Sequence, residues 1–390
     1  MVATIPPGPD YAGGGILNLC SSIVTGCGGA PTPWPVADLL KDDDLGRRQN
    51  LVLFVVDGLG YEFLQRHPDS FLHSRLRGRL GSVFPTTTAT AITAFVSGLS
   101  PACHGITGWF TWLEEAGTVW TMLPFVPRDP ALNRHDFAFS ADQILSGPSL
   151  FQQIPRVSHI VTPQKLMDSE YSLATGVGAA RHGYSDLGEM FTLTDALIQG
   201  AEEKQYIYTY WPHLDALCHT HGTSAPEVTA HFKQLDQAFA EFDRALQGSD
   251  TVVLVTADHG LIDTSPERSI LLEDHPPLAA MLSRPLCGEP RAVFCYVEAD
   301  RHAAFVDYVA QYLGHACDCF ASADLITAGW FGPQPGHPAL ASRVGDFTLV
   351  MKANYILKDR LVGERAFSQI GVHGGLSDEE RYVPLVVFEG

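Results

Sequence analysis

No stretch of this 390-residue chain approaches the about 20 consecutive apolar residues that a helix needs to span a bilayer, so a membrane-embedded protein is not expected. The N-terminus has no basic segment leading into an apolar core, which argues against a secretory leader. Positive charge is scarce: 25 Lys and Arg face 44 Asp and Glu, for a formal net charge of −19. That balance disfavours tight binding to a nucleic-acid polymer or to an anionic membrane, because both rely on basic patches. A small anionic substrate stays open, since bound metal ions can dominate the local field. The eight cysteines, Cys20, Cys27, Cys103, Cys218, Cys287, Cys295, Cys317 and Cys319, show no disulfide-framework spacing. Cys317-Asp318-Cys319 alone is a weak metal signal, and reduced thiols in a cytoplasmic protein are expected.

What is present is a core-forming chain, 45% hydrophobic and 18% charged, long enough for one large α/β domain with insertions or for two domains. The run Val252 to Val255 is apolar and β-branched except for Leu254, the pattern of a strand buried on both faces of a largely parallel sheet. It stops at Asp258, His259 and Gly260. A second such run, Leu51 to Val56, stops at Asp57 and Gly58. In open α/β sheets ligands bind outside the carboxyl ends of the strands. Each acid could alternatively cap the next helix beside an ordinary surface histidine, but the recurrence favours a site.

Three further stretches carry ligand-type side chains. Ser82 to His104 predicts a short strand near Val83, then a helix from about Thr88 that stops at Gly98; it crowds Thr86, Thr87 and Thr88 at a helix N-terminus, where an anion is favoured. The threonines could merely cap that helix, or one of them could be a nucleophile beside a cation. After a strand over Tyr206 to Tyr210, Asp215 and His219 stand four apart and share one face of a helical turn, the arrangement for chelating one ion; His213 and His221 fit it less well. Gly371 to Gly375 places His373 in a flexible loop. The stripe Val228, Phe232, Leu235, Phe239, Phe242 and Leu246 predicts a packing helix over Ser224 to Leu246. Trp109, Phe110, Trp112 and Trp120 could line a pocket or simply fill core.

Asp57, Thr88, Asp215, His219, Asp258, His259 and His373 are enough for two ions with mixed nitrogen and oxygen ligation, which suits zinc better than calcium or magnesium. Two adjacent metals activate a nucleophile and steady a leaving oxygen, so phosphoryl transfer is the natural reaction class. At these residues the chain resembles the alkaline phosphatase superfamily, and most closely its type I phosphodiesterase and nucleotide pyrophosphatase branch. The motifs V-V-D-G at Val55, F-P-T-T-T at Phe84, D-A-L-C-H at Asp215, A-D-H-G at Ala257 and V-H-G-G at Val372 follow the family's order. The likeness implies an alkaline-phosphatase-like three-layer αβα sandwich with a mostly parallel central sheet and an inserted cap. It implies one Zn2+ on Asp57, Thr88, Asp258 and His259 and another on Asp215, His219 and His373, with Mn2+ or Mg2+ as substitutes. It also implies that Thr88, in the fifth position of F-P-x-x-T, attacks phosphorus to form a phospho-threonine that is then hydrolysed.

The expected organisation is an irregular arm over 1–42, a catalytic core over 43–260 with an insertion near 109–199, a cap over 261–344, and completion of the core over 345–390. The sequence departs from the resemblance where His104-Gly105-Ile106 leads to Thr107, Gly108 and Trp109 in place of a phosphate-contacting Asn. Thr88 to Ile92 cannot supply the Cys or Ser of a sulfatase motif. The expected partner is a small phosphate-ester substrate, with no nucleic-acid polymer and no membrane; oligomeric state stays open. A phosphomonoesterase on the same scaffold is the alternative, disfavoured because no Arg stands beside Thr88 in sequence; a catalytically silent metal- or nucleotide-binding protein is the third reading.

Overall fold

A computed structural model of the chain describes residues 5–333, 335–365 and 368–390. The central sheet has seven strands in the order Leu76–Gly81, Tyr382–Glu389, Thr251–Thr256, Asn50–Val56, Gln205–Trp211, Val157–Pro163 and Ala180–Tyr184. From Thr251–Thr256 to Ala180–Tyr184 every pairing is parallel, whereas Tyr382–Glu389 runs antiparallel to both of its neighbours. Asn50–Val56, at the centre, is buried at every position, as its unbroken apolar run requires of a strand covered on both faces.

The two faces can be told apart by residue parity. Phe54 meets Phe191 of the helix Leu187–Gln199 and, edge-on at 5.0 Å, Phe239 of the helix Pro226–Ala245. Tyr206 and Tyr208 project to the opposite face, onto Phe151 of Leu150–Gln153. Helices therefore cover both sides of a mixed, largely parallel sheet. The apolar stripe of Pro226–Ala245, with Leu246 just beyond it, is buried against this core.

A second seven-stranded sheet runs Cys317–Ala321, Phe347–Met351, Ala292–Cys295, Cys287–Glu289, Phe110–Leu113, Thr118–Thr121 and Val126–Pro127. It draws on the segments after 109 and after 261 together, and on Phe347–Met351, which a boundary at 345 assigns to the core. Conversely, Val157–Pro163 and Ala180–Tyr184, inside the expected insertion, belong to the central sheet. No strand forms at Val83; the edge strand ends at Gly81.

The irregular arm expected over 1–42 is not what residues 16–26 form. Ile16–Gly26 is a helix whose Ile16, Leu17, Leu19, Cys20, Ile23 and Val24 are buried in the main core, and Trp34 Nε1 donates to the Gly98 carbonyl at 2.8 Å. The polar face of this helix is buried as well, with Asn18 and Ser21 donating to the carbonyls of Pro35 and Trp34 and Ser22 accepting from the Ala37 amide, so the helix carries no charged, solvent-facing side by which a surface helix is read. Among the described residues no helix is long and apolar enough to cross a membrane.

The two sheets are joined by a buried ion pair. Arg291 Nε and Nη2 donate to Glu380 Oε1 and Oε2 at 2.8 and 2.6 Å, and Glu380 also accepts from the Gly375 amide. Both side chains are essentially inaccessible. Removing one partner strands a buried charge. Arg291→Met is therefore expected to lower the unfolding free energy by about 3–5 kcal/mol, read from urea denaturation against the parent protein.

Candidate active site

The carboxyl ends of three neighbouring central strands deliver the acids. Asp57 follows Asn50–Val56, Asp258 lies just beyond Thr251–Thr256, and Asp215 sits in the first turn of the helix His213–His221 that follows Gln205–Trp211. Gly58 makes their approach feasible: its φ is +74°, and a Cβ there would lie 3.0 Å from Asp215 Cβ and 2.7 Å from Leu261. The simple capping readings do not hold. Asp57 is not a helix cap, since the next helix is capped at Gly60, and His259 is fully buried.

All seven sequence candidates converge here. Asp57, Asp258 and His259 present ligand atoms within 4.8 Å of one another, and so do Asp215, His219 and His373. The ring of His373 stacks on that of His259 at 3.8 Å and lies 5.1 Å from that of His219, which joins the two clusters. Thr88 opens the helix Thr88–Ser97, and its Oγ1 is 3.1 Å from His259 Nε2. Thr87 holds the N-cap position, but neither its side chain nor that of Thr86 bonds the helix's free amides. Thr86 donates to the Gly375 carbonyl and Thr87 to Glu289 Oε1 at 2.6 Å. His213 stacks on Trp211 and is not part of either cluster.

The histidine rings are oriented from behind. His219 Nδ1 lies 2.7 Å from the Gly371 carbonyl, His259 Nδ1 3.1 Å from that of Gly260, and His373 Nδ1 3.1 Å from that of Thr86. A carbonyl only accepts, so each Nδ1 carries a proton and each Nε2 is the nitrogen turned inward, where it can give a lone pair to a cation. His259 Nε2 then faces Asp57 Oδ1 and Asp258 Oδ2 at 3.5 and 3.4 Å. Asp57 Oδ1, Asp258 Oδ2 and Asp215 Oδ1 are buried and without a hydrogen-bond partner. Acceptors gathered out of water with nothing to accept from are unfavourable unless a cation completes them. The donor set fits metal ions with mixed nitrogen and oxygen ligation.

Electrostatics separate the two clusters. Burial, followed by the charges of Asp258 and Asp215, drives the Asp57 carboxyl well above the usual range, against a short hydrogen bond from the Tyr210 hydroxyl. Burial also opposes the charge on Asp215, but His219, itself raised by that carboxylate so that its Nε2 takes up a proton 3.2 Å away when no cation is bound, outweighs it and holds that carboxyl at about 2. His373 is pushed well below the normal histidine range, by burial first and then by His259. These departures belong to a site built to hold extra positive charge.

The clusters open onto a cavity of about 990 Å³. Trp109 and Phe110 line it, whereas Trp112 and Trp120 do not; Trp120 is fully buried among Phe125, Phe137 and Phe139. Glu289, from the second sheet, also faces the cavity, and it was not singled out by the sequence because it belongs to no motif. Its Oε1 accepts from Thr87 and from the Trp109 amide at 2.7 Å, and Gly374, at φ +114°, leaves it room, since a Cβ there would lie 2.6 Å from Glu289 Cβ. The cavity also holds Arg128 and Arg181, cations distant from Thr88 in sequence. Arg128 is neutralised by Glu364 and Asp359 at 2.9 and 2.7 Å.

The family model for type I phosphodiesterase / nucleotide pyrophosphatase matches residues 51–375. The chain belongs to that family. It is thus a hydrolase acting on phosphoric ester bonds, of the metal-dependent kind. Murine ectonucleotide pyrophosphatase / phosphodiesterase 5 is similar in structure, with a TM-score of 0.65 at 14% identity over 87% of this chain and 88% of that one. An inactive form of the murine protein is known in complex with AMP, at TM-score 0.63 and 15% identity over 86% and 87% of the two chains. Phosphonoacetate hydrolase from Sinorhizobium meliloti, in complex with phosphonoacetate, aligns at TM-score 0.63 and 17% identity, covering 86% and 89%. No curated protein matches the sequence.

Burial raises the Glu289 carboxyl to about 7, above its value in an unfolded chain. An acid whose folded pKa is raised contributes most stability below about pH 4.5, and that contribution is lost as pH rises toward 7. Glu289→Gln keeps an acceptor for both donors but cannot ionise. In chelator, the melting temperature of Glu289→Gln relative to the parent is expected to rise between about pH 5 and about pH 8; a constant difference would show that this carboxyl does not titrate there.

Proposed function

We propose that this chain is a two-metal phosphodiesterase or nucleotide pyrophosphatase that hydrolyses small, nucleotide-like substrates through a phospho-threonine at Thr88. The observation that carries the reading is the position of the Thr88 hydroxyl, which begins a helix and stands 3.1 Å from His259 Nε2 in one of two adjoining ligand triads. Asp57, Asp258, His259 and Thr88 would hold one ion and Asp215, His219 and His373 the other, zinc suiting the donors best and Mn2+ or Mg2+ serving as substitutes. When bound, such ions supply the positive charge that lowers the pKa of the threonine hydroxyl and stabilises the leaving oxygen.

The protein's own residues do the rest. Thr88 Oγ1 forms the bond to phosphorus as the bond to the leaving oxygen breaks, and the proton given up by the hydroxyl is balanced by the one the leaving group takes up. Water then cleaves the Thr88–phosphorus ester, restoring the hydroxyl and releasing a phosphate monoester from a diester. Backbone N–H groups at the start of Thr88–Ser97 favour the phosphoryl oxygens. Carbonyl contacts to Nδ1 keep the three imidazoles turned toward the centre.

A diester is favoured over a monoester because the cavity far exceeds a phosphate group and is lined by apolar side chains such as Ile92, Val96 and Leu123. The AMP complex of the murine relative supports a nucleotide-like substrate. The eight cysteines are all free thiols, which supports a reducing, cytoplasmic setting.

Thr88→Ala is expected to retain about two metal ions per chain by mass spectrometry while kcat on bis(p-nitrophenyl) phosphate falls by several orders of magnitude. Near-normal turnover by that variant would rule Thr88 out as the nucleophile. In the parent protein, bis(p-nitrophenyl) phosphate is expected to be cleaved faster than p-nitrophenyl phosphate, and the reverse preference would select the monoesterase.

A further inference from the structure

The cavity does not stop at the ligand clusters. It continues beneath the helix Thr88–Ser97, where Thr88, Ile92 and Val96, four residues apart, form one stripe along its wall. Eight residues of helix span about 12 Å. The facing wall is the central sheet. Tyr208 pairs with Leu53, four residues before Asp57, which puts it about 13 Å behind the acid along the strand. The two walls thus agree on the depth of a recess that runs away from Thr88.

The floor of that recess is not simply apolar. Tyr208, Ile160 and Arg181 are in register across three parallel strands and so point to one face. Ile160 and the stem of Arg181 lie together under Gly176, where a Cβ would sit 3.0 Å from Ile160 Cδ1 and 3.4 Å from Arg181 Cδ. Tyr208 is 3% exposed, and its hydroxyl has no hydrogen-bond partner. Arg181 Nε is likewise buried and unpartnered. The guanidinium's carboxylate neighbour, Asp168, is 3.8 Å away with a side chain 65% exposed, too loose and too wet to neutralise it fully. Lys165 adds a second cation on the same side of the cavity. The Arg181 side chain is 26% exposed and hydroxyls such as those of Thr162 and Ser172 share the lining, but the Tyr208 hydroxyl and Arg181 Nε are buried donors with nothing to donate to, which is costly unless something accepts from them.

We propose that this recess is a subsite for the organic arm of the substrate, and that the arm is apolar along Ile92, Val96 and Ile160 and ends in an anionic group received by Tyr208 and Arg181. The inference rests on the phosphodiesterase reading and narrows it: the substrate is a diester or anhydride carrying a second negative charge, a carboxylate or a phosphate, about 12 Å from the reacting phosphorus.

The test uses the metal-loaded, full-length protein and p-nitrophenyl phosphodiesters whose second ester arm is an octyl chain, an ω-carboxyalkyl chain or an ω-phosphoalkyl chain of matched length. At least one acid-ended arm is expected to exceed the octyl arm in kcat/KM by about tenfold or more, the fold-change of one charge-assisted hydrogen bond, and the better of the two identifies the anion. In Arg181→Met that ratio is expected to fall to about one. Tyr208→Phe, which loses only a hydroxyl, is expected to lower it several-fold. An octyl arm cleaved as well as both acid-ended arms by the parent protein, or a ratio unmoved in both variants, overturns the subsite while leaving phosphodiester hydrolysis intact. Release of no p-nitrophenolate from any of the three esters overturns the phosphodiesterase reading, and the subsite with it.

Discussion

Three carboxylates, those of Asp57, Asp215 and Asp258, are brought together out of water, each with an oxygen that no hydrogen bond satisfies. Such an arrangement is unfavourable by itself, because like charges repel and burial removes the solvent that would screen them. Much of the surrounding structure is organised to impose it. Parallel pairing of three strands in register brings their carboxyl ends side by side. A glycine at position 58 allows the backbone to pass within contact distance of Asp215. Three carbonyls hold three imidazoles with their Nε2 atoms inward. A fold that accepts this much local cost without a compensating cation would be hard to account for; a fold that binds two gains the compensation.

The two clusters are nonetheless unequal. One offers two carboxylates and one imidazole, the other one carboxylate and two imidazoles. This difference tracks the opposite behaviour of their acids. Asp57, beside another acid, resists ionisation, whereas Asp215, beside His219, is held ionised. The nucleophile stands next to the cluster richer in negative charge, where a cation would be needed most if a threonine hydroxyl is to be activated. The second sheet closes the arrangement from the other side. It contributes Glu289 to the Thr87 hydroxyl and Arg291 to Glu380, so the loop carrying His373 is held by the joint between the sheets.

The parts of this architecture that the sequence displays are those governed by local rules. Runs such as Leu51 to Val56 and Val252 to Val255 declare doubly buried strands, and an acid after each declares a strand-end site. Asp215 and His219 declare a helical turn by their spacing. The parts that stay hidden depend on partners far away in the chain. Ile16–Gly26 has no charged face to mark it, and its burial depends on the core it covers on one side and on the 34–37 segment that bonds its serines and asparagine on the other. The second sheet takes strands from three separated stretches, so no contiguous segment announces it. Glu289, Tyr208 and Arg181 are ordinary residues in ordinary strands, and what makes each notable is the register or hydrogen bond that turns it toward the cavity. Local chemistry is written in motifs; convergence is written in topology.

The net charge of −19 fits this site better than first inspection suggests. Charges on an exposed surface are screened within about 8 Å at physiological salt, so most of the acidic excess is not felt at the bottom of a deep cavity. What an incoming anion meets there is set by nearby groups. Two divalent ions would exceed the three ligand carboxylates by one positive charge, and the helix beginning at Thr88 adds its N-terminal dipole in the same sense. Elsewhere in the lining, Arg128 is cancelled by its own carboxylates, whereas Arg181 is only partly neutralised by Asp168. A strongly acidic exterior and an anionic substrate are compatible because one acts over the surface and the other is received where that surface is screened.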